Sequence, residues 1–166
     1  MPVKFGSLFV AASKYQYSFG ESAGRGRTLF CPYRSLSMKK IKIIPIKILK
    51  AHERVSRKNL EKIKLQIRHD GCIKDSIILD RDNFIILDGH HRTKALNDLG
   101  YKKIPAVLVD YHDKKVRVVS RRKNIMITKE SIITTALSKK LYPCKTSKHF
   151  IPGRPRAINI KLEKLI

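Results

Sequence analysis

The chain has 166 residues, of which 37 are Lys or Arg and 13 are Asp or Glu, giving a formal net charge of +24. This length suits one ordinary domain, and a 42% share of hydrophobic residues excludes a wholly disordered tail or linker. The apolar runs are only a few residues long, which excludes a transmembrane helix and predicts no membrane partner. The positive charge predicts an anionic partner, either a nucleic acid or a nucleotide phosphate.

Composition changes sharply at Met38. All 21 isoleucines lie after this position, whereas seven of the 12 aromatic residues precede it. Residues 1–37 therefore read as an extension that is disordered or lies upstream of the true start, and residues 38–166 as the folded domain.

The apolar spacing and the turn residues after Met38 predict alternating strands and helices. Ile41–Ile48 contains Pro45, which favours an edge strand. Ser56 and Gly71 are typical of the start and the end of a helix. Further along, we expect a hairpin from Ser76–Leu79 and Phe84–Leu87, a helix over His90–Leu99, strands over Ile104–Val109 and Val116–Val119, a helix from Thr128 to about Lys139, and a loop-like tail with a last strand near Ile158–Ile160. These elements predict a single compact α+β domain with a small mixed sheet and flanking helices.

The three cysteines, Cys31, Cys72 and Cys144, are far apart and odd in number. They show no metal-ligand spacing with the six histidines. We expect free thiols, which is typical of a reducing cytoplasm.

The segment from Ile85 to Thr93 is the strongest candidate for chemistry. A strand ends there, Gly89 follows, and a helix begins, so unpaired N–H groups and the helix dipole predict an anion site. Gly89 would let the backbone approach a phosphate, and Arg92 can bind phosphate oxygens through two N–H groups. His90 and His91 add donors, and Asp88 could hold a metal ion or orient a hydroxyl. The alternative is that Asp88 only caps the helix and the histidines lie on the surface.

The stretch Leu87–Tyr111 resembles the core motif of the ParB/sulfiredoxin superfamily. His90 stands where sulfiredoxins have their nucleophilic Cys and ParB-type proteins usually have Glu, which disfavours sulfiredoxin chemistry. The Asp-Gly-His-His-Arg version is similar to the archaeal free serine kinases. Two more segments carry that resemblance, namely Lys50-Ala51-His52-Glu53 and Lys145-Thr146-Ser147-Lys148-His149.

The resemblance implies transfer of a phosphoryl group from ATP, or from ADP, to the L-serine hydroxyl, with Mg²⁺, giving O-phospho-L-serine for cysteine biosynthesis. It implies that Glu53 is the catalytic base and that Asp88 is a candidate metal ligand. An active-site Trp of that family falls at Arg121, which could contact a phosphate or the substrate carboxylate instead. The residues expected to bind serine or nucleotide are Asp88, Gly89, His90, His91, Arg92, Arg121, Lys145, Thr146, Ser147 and His149.

Two other functions stay open at this point. One is a ParB-like DNA-binding or nucleotide-switch protein, which the charge of +24 favours. Partition proteins, however, bind DNA through a separate helix-turn-helix domain, and no such domain is visible after Asn97. The other is a non-catalytic sensor of serine or nucleotide. Nucleic acid is thus the less expected partner, and the sequence leaves the oligomeric state open.

Overall fold

The computed structural model describes residues 40–166, so the predicted extension over residues 1–37 lies outside the described part. In chain order the elements are β1 (Ile41–Pro45), α1 (Arg57–Asp70), β2 (Cys72–Ile73), β3 (Ile77–Asp80), β4 (Ile86–Asp88), α2 (His90–Asp98), β5 (Lys103–Val109), β6 (Arg117–Ser120), α3 (Lys129–Leu137), β7 (Ser147–Phe150) and β8 (Ile160–Lys161), with short 3-10 helices at Ile46–Ile48 and Leu162–Leu165.

Four strands form a mixed sheet in the order β1, β5, β3, β4. β5 is antiparallel to β1 and parallel to β3, and β3 forms the predicted antiparallel hairpin with β4. β1 lies at the edge, where Pro45 removes no central ladder bond. The α+β class with a small mixed sheet is confirmed.

Hydrophobic side chains cover both faces of this sheet. On β3, Ile77 and Leu79 belong to one core cluster, and the intervening Ile78 belongs to the other. The first cluster includes Leu60 and Ile67 of α1 and Leu96 of α2, and the second includes Ile132 of α3. Because successive side chains of a strand point to opposite faces, α1 and α2 cover one face of the sheet and α3 covers the other.

The helix boundaries follow the predicted signals closely. Ser56 lies at the N-cap of α1, although its side chain makes no capping bond, and Gly71 ends that helix in the left-handed region at φ +61°. Thr128 and Ser131 cap α3 reciprocally. α3 ends at Leu137, slightly before the predicted end.

The loop-like tail is the part of the prediction that was wrong. Residues Ser147–Phe150 form β7, which pairs antiparallel with β6. The predicted last strand exists as β8, and it pairs with β2, a two-residue strand that was not predicted. β7 contacts β4, which brings the distant segment around Ser147 next to the end of the main sheet.

Within residues 40–166 no helix is long and apolar enough to cross a membrane. Cys72 and Cys144 are free thiols, as predicted.

Candidate active site

The junction between β4 and α2 forms one wall of the site. Gly89 lies at the N-cap of α2 with φ +104°, a conformation that favours glycine. A Cβ atom here would overlap the Ile77 side chain, lying 2.9 Å from Ile77 Cβ. The first hydrogen bond of the helix runs from the Thr93 N–H to the Gly89 carbonyl at 2.9 Å. The N–H groups before Thr93 therefore have no carbonyl partner within the helix. The start of α2 therefore has the geometry on which the anion site was predicted, and anion binding there stays a prediction.

Asp88 does not cap α2, because the N-cap is Gly89 and it makes no side-chain capping bond. Asp88 Oδ2 instead pairs with Arg92 Nη2 at 3.1 Å and with Arg154 Nη1 at 2.6 Å. Burial would raise the pKa of this carboxyl, but the two guanidinium groups lower it. Asp88 is therefore ionised at neutral pH.

Arg92 is anchored to the protein. Its Nη1 donates to the carbonyl oxygens of Asp75 at 2.6 Å and Ser76 at 2.9 Å, in addition to the Asp88 pair. This leaves Arg92 to supply positive charge at a fixed position, which differs from the two-bond contact to phosphate that the sequence suggested.

Arg154 was not predicted as a site residue from the sequence. Its guanidinium pairs with Asp88 and also donates to the Ser76 carbonyl at 3.2 Å. Nothing in the tail sequence distinguishes this arginine from its basic neighbours, because only the chain path brings it back to β4.

Glu53 lies opposite the helix end, and only 8% of the residue is exposed. A parallel bridge to Tyr142 holds its backbone. Oε2 accepts from the Lys145 N–H at 3.0 Å, and Oε1 accepts from the Ser147 N–H at 2.6 Å and the Ser147 hydroxyl at 2.5 Å. Burial would raise the pKa of Glu53, but the nearby His52, whose Nε2 lies 3.7 Å from Oε1, and the hydrogen bonds from Ser147 lower it to about 2. The carboxylate is thus a buried, ionised acceptor.

Lys145 has a left-handed backbone, with φ +58°. This turn aims its N–H group and that of Ser147 at the same carboxylate. A non-glycine residue costs about 1–2 kcal/mol in this region, so the bonds to Glu53 have to hold the turn in place.

His52 connects this carboxylate to the histidines of the site. Its Nε2 lies 3.0 Å from Ser147 Oγ. Because the Ser147 hydroxyl donates its one proton to Glu53, His52 Nε2 is the donor to Ser147, and its proton lies on Nε2. Nδ1 is buried without a partner among the described residues.

Three other histidines pack nearby. His90 lies 4.5 Å from His52 between ring centroids, and His149 lies 5.8 Å from it. Burial and then the neighbouring His52 lower the pKa of both His90 and His149 to about 3. Burial and then Lys145 lower the pKa of His91. His90 and His149 are therefore neutral at neutral pH.

A cleft of about 420 Å³ joins the helix end to Glu53. Nine of the predicted residues line it: Glu53, Asp88, Gly89, His90, His91, Arg92, Arg121, Lys145 and Ser147. Three polar residues of α1 also line it, and these were not predicted: Asn59, Lys62 and Gln66. Their spacing of three and four residues places them on one face of the helix, and this is the sequence pattern from which they could have been grouped.

Two predicted residues do not line the cleft. Thr146 is fully buried, and its hydroxyl donates to the Pro143 carbonyl at 2.8 Å. His149 Nε2 lies 2.9 Å from the Tyr111 hydroxyl. Both residues support the segment that carries Lys145 and Ser147, whose side chains do reach the cleft.

Among residues 40–166 no three His, Cys, Asp or Glu side chains are grouped closely enough to hold a metal ion. Asp88 is the carboxylate beside the helix end, and Arg92 and Arg154 both contact one of its oxygens. Mg²⁺ is often bound by one or two carboxylates together with substrate phosphates. Within this site, Asp88 Oδ1 is the oxygen that would be left for a metal ion held in that way.

Known proteins share this fold. An ATP-dependent L-serine kinase of Staphylothermus marinus is 31% identical over 103 residues, which are 58% of this chain and 41% of that protein. An ADP-dependent L-serine kinase of Thermococcus kodakarensis is 31% identical over 93 residues, which are 52% of this chain and 38% of that protein. The chain thus spans about two fifths of the length of these curated relatives.

A solved free serine kinase in complex with AMP superimposes with a TM-score of 0.69 at 19% identity, over 76% of this chain and 93% of that chain. At this identity the likeness establishes the fold. The family profile of the ParB N-terminal domain matches residues 33–125, which is more than half of the chain. The chain therefore belongs to the ParB N-terminal domain family.

Proposed function

We propose that this protein is a free L-serine kinase, which transfers a phosphoryl group from a nucleotide to the serine hydroxyl. The observation that carries the proposal is that one cleft joins the N-terminal end of α2, where phosphate would bind, to the buried carboxylate of Glu53. The names of the relatives, ATP-dependent and ADP-dependent L-serine kinase, support it.

In this proposal the donor phosphates bind at the N-terminus of α2. The first-turn N–H groups, the helix dipole and the fixed charge of Arg92 stabilise the phosphate oxygens. Arg121 and Lys145 line the same cleft and add positive charge. Phosphoryl transfer depends mostly on such positioning and charge stabilisation, so this arrangement matches what the reaction needs.

Glu53 accepts the proton of the serine hydroxyl. A carboxylate that takes this proton makes the hydroxyl a better nucleophile. Glu53 now receives a bond from the Ser147 hydroxyl. A substrate hydroxyl that takes over this place would donate the same kind of hydrogen bond, so the proton to be transferred would already point at the carboxylate.

Asp88 is the residue that would hold Mg²⁺ beside the donor phosphates. When bound, Mg²⁺ neutralises charge on the phosphoryl oxygens. Arg92 and Arg154 both contact Oδ2 of Asp88, so Oδ1 is the oxygen that would bind the metal ion.

The donor is ATP or ADP, and the product is O-phospho-L-serine, which would supply cysteine biosynthesis. The test is to incubate the protein with L-serine, Mg²⁺ and either nucleotide, and to follow O-phosphoserine by mass spectrometry. Formation of product with one donor is the expected result. No product with either donor, together with tight and salt-sensitive DNA binding, would favour a ParB-like DNA-binding protein instead.

A further inference from the structure

Ser147 occupies a position on Glu53 that suits the substrate of the proposed reaction. Its hydroxyl donates to Glu53 Oε1 at 2.5 Å, and its Oγ accepts from His52 Nε2 at 3.0 Å. A serine hydroxyl of the protein is thus already hydrogen-bonded to the carboxylate that would activate free serine.

The side chain of Ser147 faces the cleft that contains the start of α2. On β6 and β7 the exposed and less exposed residues alternate, and Ser147 lies on the less exposed side. That side chain lines the cleft together with Gly89 and His90 at the start of α2. The hydroxyl and the candidate phosphate site therefore share one solvent-filled space.

We propose that Ser147 is a phosphoryl acceptor, and that the protein phosphorylates itself on this hydroxyl when it holds a nucleotide and no free serine. The inference rests on the proposed function, because it uses the same donor site and the same carboxylate. The transfer is intramolecular, since Ser147 and Glu53 belong to one cleft of one chain.

The step balances as an ordinary phosphoryl transfer. Ser147 Oγ forms a bond to the terminal phosphorus of the nucleotide, and the bond between that phosphorus and its bridging oxygen breaks. The shortened nucleotide leaves with the electron pair, and the hydroxyl proton passes to Glu53. No oxidant or further reactant is required.

The phosphate on Ser147 would occupy the proposed nucleotide site. A phosphoserine carries nearly two negative charges at neutral pH, and here it would lie beside the ionised Glu53. Like charges repel, so the phosphate would leave the carboxylate and point toward the positive end of α2. Phosphorylated protein should therefore bind nucleotide more weakly than unmodified protein.

The experiment uses the full chain with nucleotide labelled in its terminal phosphate and Mg²⁺, with and without L-serine. Phosphopeptide mapping by mass spectrometry locates any label. The expected result is a phosphate on Ser147, formed at a rate independent of protein concentration and suppressed by excess L-serine.

Three variants sharpen the test. S147A should lose the label and S147T should retain it, because threonine keeps the hydroxyl. S120A is the matched control, because Ser120 of β6 is the residue paired with Ser147 of β7. Among the described residues, its hydroxyl forms hydrogen bonds only with the backbone of Arg122. S120A should be labelled like the unchanged protein.

The outcomes separate this inference from the proposed function. O-phosphoserine without label on Ser147 would overturn the inference and leave the kinase proposal standing. Label on Ser147 without O-phosphoserine would support the inference and contradict free serine as the substrate. Neither product would overturn both.

Discussion

Buried titratable side chains set the chemistry of the site at the scale of single residues. Glu53 stays ionised in a nearly closed position, because donors from Lys145 and Ser147 replace the water that burial removes. His90 and His149 stay neutral for the opposite reason, since burial disfavours their charged forms. Glu53 is thus a negative acceptor beside the uncharged rings of His90 and His149.

These shifts predict that stability falls in acid. The pKa of His90 and His149 is about 3 in the folded protein and 6.5 is the ordinary value, so the unfolded chain binds more protons between those values. The free energy of unfolding should decrease from pH 6.5 downward, by at most about 1.4 kcal/mol per pH unit for each group. Below pH 4.5, Glu53 adds to the loss, because its folded pKa is about 2.

Urea unfolding between pH 7 and pH 4 measures this slope. H149Q should flatten it, because one buried imidazole is gone. H69Q is the control, since the His69 side chain is 89% exposed and loses little water on folding. An unchanged slope in H149Q would show that His149 does not contribute.

At the scale of elements, the strand–glycine–helix junction positions the anion site. Gly89 meets two demands, a left-handed backbone and close contact with Ile77 of β3. Gly100 meets only the first, with φ +86° and no atom within 4 Å of an added Cβ.

This difference predicts unequal costs for two matched substitutions. G100A should cost about 1–2 kcal/mol, the penalty of a left-handed non-glycine residue. G89A should cost about 1–3 kcal/mol more, because the added methyl overpacks against Ile77. Urea unfolding of both variants measures the difference, and equal losses would contradict the packing role of Gly89.

The elements with strong local signals could be predicted from the sequence. Apolar spacing and the flanking Ser56 and Gly71 were sufficient for α1, and β3 and β4 stood out as apolar runs around a polar turn. β7 could not be predicted, because its residues Ser147–Phe150 are mostly polar and its partner β6 lies far away in sequence. Strands of this kind depend on tertiary pairing more than on local propensity.

The candidate site divides in the same way. Glu53 and the residues Asp88–Arg92 could be identified from motifs, because those residues are close together in sequence. The bonds from Lys145 and Ser147 to Glu53 span more than 90 residues, and the pair between Arg154 and Asp88 spans 66. A local sequence pattern cannot predict contacts between residues so far apart in the chain.

At the scale of the whole molecule, the end of the chain closes the core. Leu165 is fully buried in the cluster beneath α1 and α2, and its carbonyl accepts from the Lys102 N–H at 3.0 Å. This contact and the β2–β8 pair hold the segment after β7 on the domain, and that segment includes Arg154.

L165A should therefore destabilise the protein by about 2–5 kcal/mol, as expected for a buried leucine. L137A is the control, because Leu137 is 50% exposed at the end of α3 and should lose well under 1 kcal/mol. Thermal or urea unfolding measures both. Similar small losses would show that the chain end does not contribute to the core.

In the proposed function, Glu53 activates the serine hydroxyl within the cleft. The direct measurement is the single-turnover rate of O-phosphoserine formation by E53Q, with nucleotide affinity measured on the same preparation. E53D, which keeps the charge but shortens the reach, serves as the second variant. We expect E53Q to lose about 100-fold or more of the rate, while nucleotide affinity changes little, because the proposed donor site is at α2. An E53Q protein that phosphorylates L-serine at the rate of the unchanged protein would contradict this role of Glu53.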